Sequence, residues 1–302
     1  MLLKKMRSAL SIIKKFGFID FFYRLVEYLR NLRYRVVFKD YPSGLEKDGL
    51  EKESMERQKS MVDEFTYLPL FSFITPVYNP PPQALHEMLQ SVYRQTYSRW
   101  ELCMVNASTD PAIQHVIDYF SREDPRMKSV KIKNKGIAAN SNHALMNASG
   151  DFIVLLDHDD VVAPDLLFEV AKVLNTDQSL DIIYYNEDII DTNGARKNPR
   201  FKPKKFHSGM FRYINYLTHC VIRKSLVEKA GEFNPEFDGA QDWELLFRCI
   251  EESQKIQHIN RVLYSWRRLK GSTAMGMDEK PYAREKQERA RWEHKLRKRN
   301  IY

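Results

Sequence analysis

The chain has 302 residues, of which 43% are hydrophobic and 12% aromatic, enough to build a sizeable core and too apolar for a disordered chain. Eleven Gly and thirteen Pro exclude collagen-like and low-complexity classes, and no apolar run approaches the roughly 18–20 residues of a membrane span. The net charge of +8 is uneven: residues 1–40 carry +7 and residues 279–302 carry +5, so the middle of the chain is −4. Basic ends around an acidic middle argue against a nucleic-acid enzyme, which places positive charge at its cleft. They fit a metal-using core held on an anionic surface.

Residues 1–36 read as one or two helices, broken near Gly17. Phe18, Phe21, Phe22, Leu25, Leu29, Leu32 and Val36 recur at three- and four-residue steps, with Arg24, Arg30, Arg33 and Arg35 mostly off that stripe. The pattern suits either a helix packed on its own domain or a basic amphipathic helix on anionic lipid. Lys14, Lys15, Asp20 and Arg24 interrupt it and no small-residue cleavage site follows, so it reads poorly as a signal peptide. Residues 40–64 read as a linker followed by a solvated helix. Three cysteines, Cys103, Cys220 and Cys249, form neither zinc spacing nor disulfide framework, which points to a reducing compartment.

From Phe71 the pattern alternates strictly. Strands are expected over 71–75, stopped by Pro76, and over 101–105, 130–132, 152–156 and 182–185. Helices are expected over 82–95, 111–122, 137–148 and 164–174. Such alternation predicts an α/β fold with a doubly wound, mainly parallel sheet, flanked by helical N- and C-terminal extensions. Ligands of such sheets bind at the carboxyl ends of the strands. Three polar clusters lie there: Pro76-Val77-Tyr78-Asn79, Asn106-Ala107-Ser108-Thr109-Asp110 and Asp157-His158-Asp159-Asp160. Neither GxGxxG nor a Walker A run is present, which lowers dinucleotide and P-loop readings.

Three carboxylates within four residues at a strand end repel one another unless a cation joins them. A hard divalent ion, Mn²⁺ or Mg²⁺, takes oxygen ligands and leaves places for phosphate oxygens. The i, i+2 spacing lets Asp157 and Asp159 address one ion, with His158 orienting or solvated between them. The alternative is an acidic turn in which Asp160 caps the helix at 164.

The segments 74–79, 90–97, 100–102, 108–110, 134–142 and 155–160 occur in the order seen in family 2 glycosyltransferases, and the chain resembles that family over roughly 65–275. Gly239-Ala240-Gln241-Asp242-Trp243-Glu244 is similar to its acidic motif in the acceptor half, and 258–266 with Gly271-Ser272-Thr273-Ala274 to its closing segment. The nearest resemblance is to rhamnosyltransferase-like enzymes of bacterial surface polysaccharide assembly. It implies a GT-A fold over 65–275, with a nucleotide-binding half (65–160) and an acceptor half (161–275), between a basic extension (1–64) and a basic helix (276–302). It also implies inverting, metal-dependent transfer from a UDP- or dTDP-sugar, rhamnose among the donors, to a lipid-linked glycan. The enzyme would sit in the cytoplasm, peripheral on the inner face of the membrane.

The same resemblance assigns residues. Pro76, Tyr78 and His158 would lie at the donor, the Tyr78 ring against the base, where stacking is worth roughly 1–3 kcal/mol; an ordinary core tyrosine is the alternative for Tyr78. Asp157 and Asp159 would hold the metal on the diphosphate. Residues 134–140, with Lys135 and the N–H groups of the following helix, would favour phosphate or ribose, or simply cap that helix. Asn106 stands where the family has an acid pair, so base recognition would pass to its weaker amide oxygen or to Asp110, or donor selectivity would be relaxed. Asp242 is the expected base toward the acceptor hydroxyl, with Glu244 behind it; a helix-dipole charge is the alternative. Glu187, Asp188, His219 and Trp243 are candidates for the acceptor side, against a solvated turn at 186–188, a buried histidine in a strand at 217–222 and a core tryptophan. The C-terminal run 282–299 reads as a solvated helix, a phospholipid-docking helix or a homodimer contact. The rival classes are a nucleotidyltransferase, which needs a basic phosphate loop where 76–82 offers none, and a non-catalytic membrane-surface or nucleic-acid-binding protein on a degenerate fold.

Overall fold

The computed structural model describes residues 18, 21–23, 25, 26, 28, 29, 52–191, 193–268 and 281–299. The linker at 40–51, the segment Gly271-Ser272-Thr273-Ala274 and most of the expected helix over 1–36 lie outside the described residues.

β1 (Phe71–Val77), β2 (Trp100–Asn106), β3 (Met127–Lys131) and β4 (Phe152–Leu155) form a parallel half-sheet. α1 (Lys52–Asp63), α2 (Pro82–Tyr93), α3 (Pro111–Glu123) and α4 (Ile137–Met146) precede and link these strands. The second half contains β5 (Val161–Val162), α5 (Leu166–Thr176), β6 (Ile182–Ile190), β7 (Arg196–Arg200), α6 (Ser208–Phe211), β8 (Val221–Arg223) and α7 (Lys224–Ala230). A 3₁₀ turn (Pro235–Phe237), α8 (Gln241–Glu252), β9 (Ile256–Arg267) and α9 (Pro281–Arg299) complete it. The sheet order is β3-β2-β1-β4-β8-β6-β9-β5, with β7 on β6. β8 runs antiparallel between β4 and β6, while β6 and β9 are parallel. The sheet is therefore an α/β sheet, parallel in its first half and carried across β8 into the second.

Period-two burial explains the layers. Phe71, Phe73, Leu102, Met104, Phe152 and Val154 enter one core with α2, α3 and α5. Ile74, Cys103, Val105 and Ile153 enter the other, with residues of α4 and α8. Both faces are covered, so these strands read as near-continuous apolar runs. Cys103, Cys220 and Cys249 are buried free thiols.

Several expectations need correction. β1 does not stop at Pro76, which pairs with Val105. Pro76 falls beyond the last β1–β4 pair, Ile74 with Leu155, so its missing N–H interrupts no ladder. α1 is not simply solvated. Its Gln58 is buried and accepts from Thr96 Oγ1 at 2.7 Å, and Met61 and Val62 pack on the first core. α9 likewise docks through Ala283, Ala290 and His294, all buried. His294 stacks on Phe247 of α8, Arg297 pairs with Glu251 at 2.8 Å, and Arg291 lies over Trp243. Its apolar face is thus occupied by its own domain, while Trp292 remains 60% exposed.

Candidate functional site

The three strand-end clusters meet at one crevice. After β1, Tyr78 is 47% exposed, which removes the core-tyrosine alternative. Asn79 takes a positive φ of 46° and clips two loops together. Its N–H donates to Ser108 Oγ at 2.9 Å and its Oδ1 accepts from Thr109 N at 2.9 Å. Asp110 caps α3, accepting from Ala112 N.

Asn106 is 1% exposed and bonded at both ends of its amide: Oδ1 accepts from Ser108 N and Nδ2 donates to Gln114. It shapes the loop, and burial leaves it no face for a base, contrary to the sequence expectation.

At the end of β4, His158 Nδ1 donates to the Pro76 carbonyl at 2.9 Å, joining the first and third clusters. Asp157 keeps a side chain 51% exposed. The Asp159 carbonyl accepts from Arg267 Nε at 2.7 Å. Burial raises the Asp159 pKa, with Asp157 adding to that and His158 opposing it. Asp160 does not cap α5. It is buried beneath the turn, where it accepts from Tyr264 Oη at 2.6 Å and Arg267 N at 2.7 Å. Burial, then Asp159 and Asp157, push its pKa well up.

His219 belongs to no strand. It has φ 59° and is 5% exposed, stacked on Tyr264 at 3.8 Å between ring centres. Its Nε2 lies 3.9 Å from both Asp157 and Asp160, and Nδ1 lies 3.5 Å from Glu187. Burial works to lower its pKa, but Asp157 and Glu187 outweigh it and hold it up to about 9. The three site acids around the ring favour its protonated form. Asp157, Asp160 and His219 offer ligand atoms within 4.8 Å of one another, without Asp159.

Glu187 and Asp188 lie inside β6, 3% and 0% exposed, not in a solvated turn and not facing an acceptor. Glu187 pairs with Lys202 at 2.8 Å and Arg200 at 3.0 Å, and Asp188 with Arg196 at 2.6 Å. Burial would raise the Glu187 pKa, yet Lys202, His219 and Arg200 hold it well below the usual range. Glu187, so paired, is the acid that meets His219 Nδ1 at 3.5 Å.

Asp242 stands in the first turn of α8. Its Oδ2 accepts from Asn215 Nδ2 at 3.1 Å. Burial raises its pKa, the Trp243 N–H opposes this, and the field of Asp157 adds to it. Asp157 is thus near enough to act on Asp242 through space. Glu244 is excluded as a second base, because it is 3% exposed and paired with Arg248 at 2.6 Å. Trp243 is 4% exposed and stacked on Phe247, so it is core and not an acceptor platform. Lys135 is exposed beside Gly136. The first turn of α4 is already met by a carboxylate of this chain: Asp238 Oδ1 accepts from Ala138 N at 2.9 Å. A donor phosphate on those N–H groups would face that charge, so the phosphate assignment to the helix end is withdrawn.

Sequence reasoning missed Tyr264, Arg267, Lys202 and Asp238. Tyr264 lies in the 258–266 segment and carried a signal there. Lys202 and Asp238 act on partners 15 and 100 residues away, which no local spacing reveals.

Comparison with known proteins agrees with this architecture. Residues 72–229 match the profile of glycosyl transferase family 2. The chain is 40% identical over 266 residues to the uncharacterized protein y4gI of Sinorhizobium fredii, covering 86% of this chain and 29% of that protein. It is 32% identical over 209 residues to the O-antigen biosynthesis protein RfbC of Myxococcus xanthus, covering 68% and 16%. It thus spans less than a third of either relative. Among solved structures, S. aureus TarS 1-349 in complex with UDP-GlcNAc superposes with a TM-score of 0.56 at 22% identity, covering 67% of this chain and 60% of that one. This last likeness is one of fold.

Proposed function

Because the chain belongs to glycosyl transferase family 2, we propose that it transfers a sugar from a nucleoside diphosphate donor to a glycan hydroxyl with inversion in a single displacement. The observation that carries the reading is the fixed Asp242 carboxylate in the first turn of α8, held by Asn215 at 3.1 Å and within electrostatic reach of Asp157. In this reading Asp242 serves the acceptor and the strand-end acids serve the donor. Asp242 accepts the acceptor hydroxyl proton as the oxygen attacks the anomeric carbon, and a raised pKa favours that role. Tyr78 stacks on the base. UDP or dTDP is the proposed nucleotide, with rhamnose among the sugars and a lipid-linked saccharide as acceptor. RfbC, whose name places it in O-antigen biosynthesis, supports a surface polysaccharide as the product class.

The residues present fit a hard divalent cation. The charge of Asp157 raises the proton affinity of Asp159, a repulsion an ion would relieve, and Asp160 is already committed to Tyr264 and Arg267. Mn²⁺ or Mg²⁺ bound to Asp157 and Asp159 would neutralise charge on the departing nucleoside diphosphate. The test is release of UDP or dTDP from a panel of nucleotide sugars in Mn²⁺. Turnover of at least one donor is expected. None across the panel, with no nucleotide binding, would favour the non-catalytic alternative.

The proposed location is the inner face of the membrane. Phe18, Phe22 and Leu29 are 68%, 51% and 53% exposed, while Tyr23 turns inward and stacks on Tyr213 at 5.4 Å. The segment is thus footed on the domain and presents apolar side chains outward, in a stretch of net charge +7. No helix among the described residues is long and apolar enough to cross a membrane. Each basic residue near anionic lipid adds about 1 kcal/mol. The protein should therefore sediment with phosphatidylserine vesicles and release them with salt. Phe18→Ser with Phe22→Ser should abolish sedimentation and keep soluble donor turnover. Sedimentation unchanged in that variant would remove the lipid assignment, and a loss of dimer in its place would assign the face to a second copy.

A further inference from the structure

Asp238 connects the two halves of the site. It ends the 3₁₀ turn, and Gly239 (φ 96°) and Ala240 lead from it directly into α8 and Asp242. Its carboxylate reaches across the crevice to α4, where Oδ1 accepts from Ala138 N at 2.9 Å. Gly136 permits this approach: a Cβ there would lie 2.2 Å from Asp238 Oδ2, and its φ of 96° favours glycine independently. The negative group also meets the positive end of the α4 dipole. A second tie lies upstream, where the Asn142 side chain both donates to the Phe233 carbonyl at 2.8 Å and accepts from Phe233 N at 2.9 Å. The segment therefore stays docked at Phe233 without Asp238, while the link 239–242 keeps only its local ties, Ala240 N to the Phe237 carbonyl at 2.7 Å, Gly239 N to Gln241 Oε1 at 2.8 Å and Asn215 to Asp242 at 3.1 Å, and the clasp is what joins it to α4.

We propose that Asp238 is a positioning residue: by clasping the first turn of α4 it fixes the 239–242 link, so that the donor-side helix sets where the Asp242 carboxylate stands. The inference rests on the reading of Asp242 as base. Misplacement by an ångström or so costs turnover without costing nucleotide affinity, which separates positioning from binding.

Asp238→Ala and Gly136→Ala attack the same contact from opposite sides. In the ligand-free protein, both should speed amide hydrogen exchange over residues 239–244 roughly fivefold, the weight of one lost hydrogen bond. The Asn142 tie should keep the melting temperature close to wild type. UDP affinity in Mn²⁺ should hold in Asp238→Ala while kcat for UDP release from a turned-over nucleotide sugar falls ten- to a hundredfold, roughly. Asp238→Asn should stay near wild type, because an amide oxygen caps a helix about as well. Wild-type exchange over 239–244 in both alanine variants would overturn the clasp. Faster exchange with undiminished kcat would overturn its positioning role. A wild-type protein with no turnover at all would overturn the proposed function instead, and exchange would still decide the clasp.

Discussion

Asp242→Asn is expected to keep nucleotide binding and to slow transfer by a factor of roughly 10²–10⁴, the usual share of a general base. The amide preserves size and an oxygen that can still accept from Asn215, so the loss reports chemistry and not collapse. The raised pKa of Asp242 fixes two further signs. A base works deprotonated, so activity should fall as pH drops through a value above the 3.8 of an ordinary aspartate. The folded protein holds this proton more tightly than the unfolded chain does. Its contribution to stability is therefore full below 3.8 and is lost as pH rises through the folded value. Asparagine removes that dependence, so the variant should be at least as stable as wild type at neutral pH. Nucleotide release within a few-fold of wild type would take Asp242 out of the mechanism. Glu244 would not replace it, because Arg248 holds that carboxylate through both oxygens.

What the sequence disclosed follows from where the forces are local. β1, β2 and β4 are buried on both faces, so their apolar runs announce them, and the polar residues that follow each one mark the crevice. Pro76 misled because the rule that proline ends a strand is local, whereas its tolerance depends on where the β4 ladder stops. Asn186-Glu187-Asp188 resembled a turn because its neutralising partners, Arg196, Arg200 and Lys202, come 8–15 residues later and return beside it only when β7 pairs with β6. His219 resembled a strand residue amid apolar neighbours, yet it adopts a left-handed conformation to face three acids. Burial patterns are written in short windows. The charge pairing that tunes a site joins distant segments and becomes visible only in the fold.

The acidic turn itself supplies the second large effect. Asp159→Asn should abolish Mn²⁺-dependent UDP binding while preserving the turn. The turn is held by main-chain and neighbouring contacts that the substitution leaves alone: the Asp159 carbonyl accepts from Arg267, and Asp160 accepts from Tyr264 and Arg267. Removing one carboxylate relieves repulsion that, with burial, raises the pKa of Asp160, so the metal-free variant should melt no lower than wild type. Asp160→Ala provides the contrast. It leaves the Tyr264 hydroxyl and the Arg267 N–H without their buried acceptor, at a cost on the order of 1–3 kcal/mol, so that variant should melt lower. Calorimetric titration of UDP with and without Mn²⁺, paired with melting curves, separates the two roles. If Asp159→Asn binds UDP in Mn²⁺ as tightly as wild type, Asp159 is not a ligand. The ion would then belong with Asp157, Asp160 and His219, whose ligand atoms already converge within 4.8 Å. In that case the imidazole must give up the proton that its neighbours favour, so Mn²⁺ affinity should fall as pH drops and His219→Gln should be the substitution that abolishes the Mn²⁺ dependence.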